Sequence, residues 1–238
     1  MSEMTTTEKT KAVLQTVAEN LKVLYQRAYR ALTFDKSVYN EVKDDPEATI
    51  PSAIMPFLIE IAFLFIVGIA TIPLWLMYGS NAQIQGNITP AYWAAGIGIA
   101  ISASVVFFLG TFLVWVVSQA IIARFAGVKE LQIKQVLRTS AFAFVPLFFA
   151  PFVVVATMYA AVAGAEIGAA AIFLIGGGII FILVVINNIL AFREITGVTT
   201  GVSIMSNTFA FVLASILGIL MTVAYGFSLA GIAWLVMA

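Results

Sequence analysis

Cysteine and histidine are both absent from this chain. Disulfides are therefore excluded, and so is any metal, iron–sulfur cluster or haem held through those side chains, and no cofactor is expected. The lack of cysteine assigns no redox compartment, since oxidising and reducing surroundings are equally compatible with it. Charge is scarce as well. Only 10% of the 238 residues are charged and 62% are hydrophobic, where soluble domains carry about 25% charged residues. That composition belongs to an integral membrane protein. The net charge of zero conceals an uneven distribution, because nearly all charges lie in residues 1–50 and in one central stretch. No basic tract is interleaved with aromatics, and residues 1–50 hold more acids than bases, so nucleic acid is not an expected partner. The polar start lacks the short apolar run of a signal peptide, and the first span is expected to direct insertion.

The central stretch, Arg124 to Pro146, carries Arg124, Lys129, Lys134 and Arg138 against a single acid, Glu130. It stands between two long uncharged runs. A short basic loop between spans normally faces the cytoplasm. Its cations also suit anionic lipid headgroups, the alternative to a purely topological role.

Taken in order, the chain begins with a polar segment, and from Lys11 to Leu32 apolar residues recur at helical spacing. Leu14, Val17, Leu21, Leu24, Ala28 and Ala31 fall on one stripe, with Lys11, Glu19, Lys22, Arg27 and Arg30 on the other faces. Such a helix can pack on its own bundle, lie on the membrane, or bind a partner through Leu14, Val17, Leu21 and Leu24. Residues 34–50, with the turn signal Asp45-Pro46, read as a hinge.

Apolar runs then predict transmembrane helices at about 53–78, 92–123, 139–163, 169–192 and 202–226 or beyond, each meeting the roughly 20 residues needed to cross a bilayer. Pro146 and Pro151 predict kinks in the third. Asn87-Ile88-Thr89, between the first two, matches a glycosylation sequon that matters only in a eukaryotic secretory pathway. The fold class expected is an all-α polytopic membrane bundle of five transmembrane helices, residues 51–238, preceded by a cytoplasmic arm, residues 1–50, with an amphipathic helix. This arrangement puts all twelve Lys and Arg on one side, which predicts the amino terminus inside and the carboxyl terminus outside.

Within the spans, Glu60 is the acid at clear membrane depth, and Gln119, Asn187, Asn188 and Asn207 fall at similar depths from the inner ends of theirs. Together they predict an intramembrane polar layer. Such a layer can serve as a proton or ion pathway or as a lipid-headgroup site, or it can bond helices to one another, the commoner use of amides in membranes. Gly164 with Gly168, Gly176 to Gly178, and Ala214 with Gly218 offer small faces for helix packing. The triple glycine is not a phosphate loop, since no Lys-Ser/Thr follows it. No nucleophile, base and orienting group stand together, and catalysis is not expected.

The amphipathic start leads to Glu41-Val42-Lys43-Asp44-Asp45-Pro46. Ala126-Gly127-Val128-Lys129, Gln135-Val136-Leu137-Arg138 with Pro146, and Phe192-Arg193-Glu194-Ile195-Thr196-Gly197-Val198 come later. In these patterns, over roughly residues 31–220, the chain resembles the Yip family of Ypt/Rab-interacting-protein-like membrane proteins, most closely its prokaryotic branch. The resemblance implies a five-span fold with a cytoplasmic arm, in a prokaryotic cell membrane. The Asp-Leu-Tyr-Gly-Pro motif of part of the eukaryotic branch is missing, and Rab-type GTPase binding is not carried over. The functional expectation is a non-enzymatic membrane scaffold or adaptor. It would contact lipids and bind other integral membrane proteins, as an accessory subunit of a larger complex. The competing expectation is a small transporter or channel built on the layer around Glu60.

Overall fold

The computed structural model describes residues 6–78, 108 and 110–237, with side chains described for 15, 18–73, 108 and 110–220. Helix α1 spans Thr6–Leu32 and α2 spans Ser37–Asp44, followed by a 3-10 turn at Pro46–Ala48 and by α3, Thr49–Tyr78. Helix α4 runs over Gly110–Phe125. Then come α5 (Ile133–Ala143), a 3-10 segment (Val145–Phe149), α6 (Ala150–Val162), α7 (Glu166–Thr196) and α8 (Thr200–Met237). Four stretches are long and apolar enough to cross a membrane: Pro46–Pro73, Ile133–Val162, Glu166–Thr196 and Thr200–Leu220. The described part of the expected second span, α4, is a shorter apolar helix, and the sequon at residues 87–89 lies outside the described residues. The architecture is all-α and compatible with a multi-pass membrane protein.

Two expectations about connections change. Residues 34–50 are not a hinge. Their alternation places Val38, Tyr39 and Val42 on one face of α2, and all three are fully buried in the core shared with α5 and α7. Burying Val38 and Val42 contributes about 1.5–3 kcal/mol each by area, so α2 is held as part of the bundle. The turn that delivers it has Phe34 at φ 59°, with the Asp35 N–H donating to the Arg30 carbonyl at 2.9 Å. A glycine is the usual residue there.

The basic stretch is also shorter than expected. Gln132 and Gln135 form a capping box that starts α5 at Ile133, so the third membrane segment begins before Arg138 rather than after it. Pro146 opens the 3-10 segment and Pro151 opens α6, so the helix is interrupted where the two prolines predicted kinks. The second inner loop contracts to residues 197–199. Gly197, at φ 67°, closes α7 by donating its N–H to the Arg193 carbonyl at 2.9 Å. Of the triple glycine, Gly176 is the one that packs closely. A Cβ on Gly176 would come within 2.9 Å of Val153, so α6 and α7 approach at a distance that only glycine permits.

Candidate functional site

The buried polar layer is built from one amide. Gln119 of α4 is 2% exposed; its Nε2 donates to Asn207 Oδ1 on α8 at 3.0 Å, while its Oε1 accepts from the Ser140 hydroxyl on α5 at 2.9 Å. A side chain with both donor and acceptor ends can join three helices, and this one does. Asn207 in turn donates to the Ser203 carbonyl at 2.8 Å, and the Ser203 hydroxyl donates to the Ile189 carbonyl on α7 at 2.8 Å. Asn188 ties α7 to α4, accepting from Trp115 Nε1 at 3.2 Å and donating to the Val184 carbonyl at 2.9 Å. Trp115 is fixed in turn by an edge contact with Phe144 at 5.4 Å.

Asn187, one residue away, behaves differently. It is fully buried, yet neither its Nδ2 nor its Oδ1 has a hydrogen-bond partner among the described residues, and the same holds for the buried hydroxyls of Ser206, Ser52 and Tyr39. Glu60 is buried on α3 and interacts with its surroundings. Of the predicted layer, the structure therefore joins Gln119 to Asn207 directly and shows Asn188 bonded to Trp115 instead. The residues that complete the bonded layer, Ser140, Trp115 and Ser203, were not anticipated. Ser203, Ser206 and Asn207 do share a buried stripe with Ala210, and small hydroxyls at helical spacing inside a span were the available signal.

A second polar cluster lies where the arm meets the bundle. Arg27 donates to Glu41 at 2.9 Å and to Asp45 at 2.7 Å, while Arg30 donates to Asp35 at 2.8 Å and to Glu41 at 2.6 Å. Two arginines one turn apart on α1 thus grip three acids in and around α2. The Ser37 hydroxyl and the Arg30 guanidinium, with the Ser37 N–H, hold the Asp35 carboxyl down at about 2. Burial alone would push Glu41 and Asp45 up, but their bonds to the arginines outweigh it and leave both below the ordinary carboxylate value. Burial likewise opposes the charge on Arg27, and the bonds from Asp45 and Glu41 outweigh it, leaving the guanidinium above its usual pKa.

Of the predicted headgroup cations, Arg124, Lys129 and Lys134 are exposed. Arg138 is not. It is 8% exposed, its Nε donating to Thr49 Oγ1 at 2.7 Å and its Nη1 to the Lys43 carbonyl at 2.8 Å. A cation on the last turn of α2 satisfies an otherwise orphaned carbonyl and suits the negative end of the helix. Arg138 is therefore a tie between α5 and the arm. Asn40 adds another tie, donating to Glu194 at the end of α7 at 2.8 Å.

Of the predicted partner stripe, Leu24 packs against the protein's own core with Ala28 and Leu32, whereas Leu21 remains exposed. The side chains of Leu14 and Val17 lie outside the described residues. No protein-family model matches the chain, and neither a curated protein nor a solved structure matches it.

Proposed function

We propose that the protein is a non-enzymatic membrane scaffold or adaptor of the Yip type, which binds other integral membrane proteins as an accessory subunit. The observation that supports this most is the use made of Gln119. Both ends of the best-placed intramembrane amide are taken up in bonds to Asn207 and Ser140, so its polarity holds helices rather than a substrate. Apolar side chains meanwhile fill the outer faces of the membrane-length helices, with Phe65 on α3, Leu174 on α7 and Met205 on α8 among the exposed ones. Such faces meet lipid or other transmembrane helices.

In this reading the chain crosses a prokaryotic cell membrane five times, with its amino terminus in the cytoplasm. The support is the one-sided placement of Lys and Arg. The chain has no cysteine, so single cysteines at Ser2 and Lys134 report location cleanly. Both are expected to resist an impermeant thiol reagent added from outside, and labelling of either overturns the orientation. The function itself is tested by purification in mild detergent. A stoichiometric membrane partner supports the scaffold, and a lone protein that carries ions across liposomes overturns it.

One observation favours the competing reading, a small transporter or channel. Among the described residues, Asn187 has two polar atoms without partners at membrane depth, as a pathway for small polar species would. On that reading Glu60→Gln abolishes proton- or cation-linked flux while the bundle stays folded, since it removes the titratable group and keeps its shape.

A further inference from the structure

The register of α7 against α8 puts the unpartnered atoms at one level along the bundle. The Ser203 hydroxyl donates to the Ile189 carbonyl, and the two helices run antiparallel from the turn at residues 197–199. Three residues further along α8, Ser206 therefore lies level with position 186 of α7, within about 1.5 Å along the axis of Asn187 at the helical rise. Both residues belong to the buried stripes of their helices, and both are 0% exposed. Among the described residues, three polar atoms at this level, Asn187 Nδ2 and Oδ1 and Ser206 Oγ, are without partners.

We propose that Asn187 and Ser206 enclose an internal hydration site, one or more water molecules held between α7 and α8 at membrane depth. The occupant has to be small, because neither side chain reaches the surface. A neutral occupant suits the site, because residues 184–191 of α7 and 202–210 of α8 contain no Asp, Glu, Lys or Arg to compensate an ion; an ion held through the Asn187 carbonyl oxygen is the outcome that sodium replacement detects. The occupant has to both donate and accept, since the amide presents N–H donors and a carbonyl acceptor and the serine hydroxyl can do either. Water meets all three conditions, and a buried water typically bonds two to four otherwise unsatisfied groups, roughly what these side chains offer. The site is independent of the scaffold reading, and either a scaffold or a transporter can contain it.

Asn188 and Asn207 supply the internal controls. They are nearly as buried, but their Nδ2 groups are bonded to the Val184 and Ser203 carbonyls. In water-edited solid-state NMR of the asparagine-labelled protein in lipid bilayers, the Asn187 side-chain amide is expected to gain magnetisation from water early. Asn188 and Asn207 stay dark over the same mixing time. Asn187→Ser assigns the peak by its loss, and if that variant does not fold, Ser206→Ala assigns it by its shift. An Asn187 amide as dark as its two neighbours overturns the proposal. So does an Asn187 resonance that moves when sodium is replaced by a bulky organic cation, which marks an ion site.

Discussion

The arm junction and the mid-bundle layer perform one task, tying helices together, with opposite chemistry. At the junction, two arginines and three carboxylates do it with full charges on partly exposed side chains. Within the layer, an amide, an asparagine and a serine do it with none. The difference follows from the surroundings. Exposed ion pairs lose little by desolvation and gain little, about 0–1 kcal/mol each, whereas charges at lipid depth are costly and amides are tolerable. A neutral bond in the membrane is likewise worth only about 0.6 kcal/mol on average. Neither region dominates through any single contact, and each relies on one residue that makes several.

Arg138 crosses that division, being a charge buried between the two regions, and its loss is expected to have the largest effect. Arg138→Met keeps the length of the side chain but leaves Thr49 Oγ1 and the Lys43 carbonyl without their donors. The expected cost is about 2–3 kcal/mol, in the range for hydrogen bonds to charged groups. It is measured as a lowered midpoint of detergent unfolding, accompanied by release of α2. A variant as stable as the parent would show that the buried face of α2 holds the arm unaided.

Gln119→Leu comes next. It removes two interhelical bonds at once and strands Asn207 Oδ1 and the Ser140 hydroxyl, for an expected loss of about 1–2 kcal/mol. The loss is expected to be the same in low and high salt, because no charge is involved. A cost that shrinks with salt would mean that an ionised group, Glu60 foremost, takes part in the layer.

Arg27→Ala sharpens the contrast from the other side. It removes the bonds to Glu41 and Asp45, and the expected cost is about 1 kcal/mol, at the upper end for surface pairs because Arg27 is partly buried. At 1 M salt, where the screening length falls to about 3 Å, the difference from the parent is expected to shrink. Proteolysis of α1 at low and high salt measures it.

How far each region could be read in the sequence follows the same physics. Membrane segments announce themselves through long uncharged runs, and the starts of α3, α7 and α8 lie within a few residues of expectation. The layer was half legible. Gln119 and Asn207 stand out because polar residues are rare in a span, whereas Ser140 and Ser203 look like ordinary small residues until the helices meet. The arm was misjudged at α2. Five of its eight side chains are polar, and its burial depends on α5 and α7, far away in sequence. Arg138 was read with the loop for a related reason. Charge marks a surface on average, and only the third dimension shows that the carboxyl end of α2 sits over it.

The smallest effect, and the one that isolates the charged region, is its response to acid. Asp35 is held at about 2, while an unperturbed aspartate titrates at about 3.9. A folded-state pKa below the unfolded one means that the carboxylate favours the docked arm above the unfolded value, and that this contribution fades as pH falls from about 4 toward about 2. Glu41 and Asp45 are lowered too and act with the same sign, so their contributions fade along with it. Arg27 and Arg30 stay charged throughout this range. The amide layer contributes nothing to the window, since none of its bonded groups titrates there. Nitroxide labels on cysteines placed at the exposed positions Gln26 and Lys36 are therefore expected to move apart over this interval, while labels across α7 and α8 do not. Asp35→Asn should flatten part of the transition by removing one of the three titrating groups. An α1–α2 spacing that stays constant down to pH 2 would assign the arm's attachment to the packing of Val38, Tyr39 and Val42 and leave the ion pairs as a minor decoration of it.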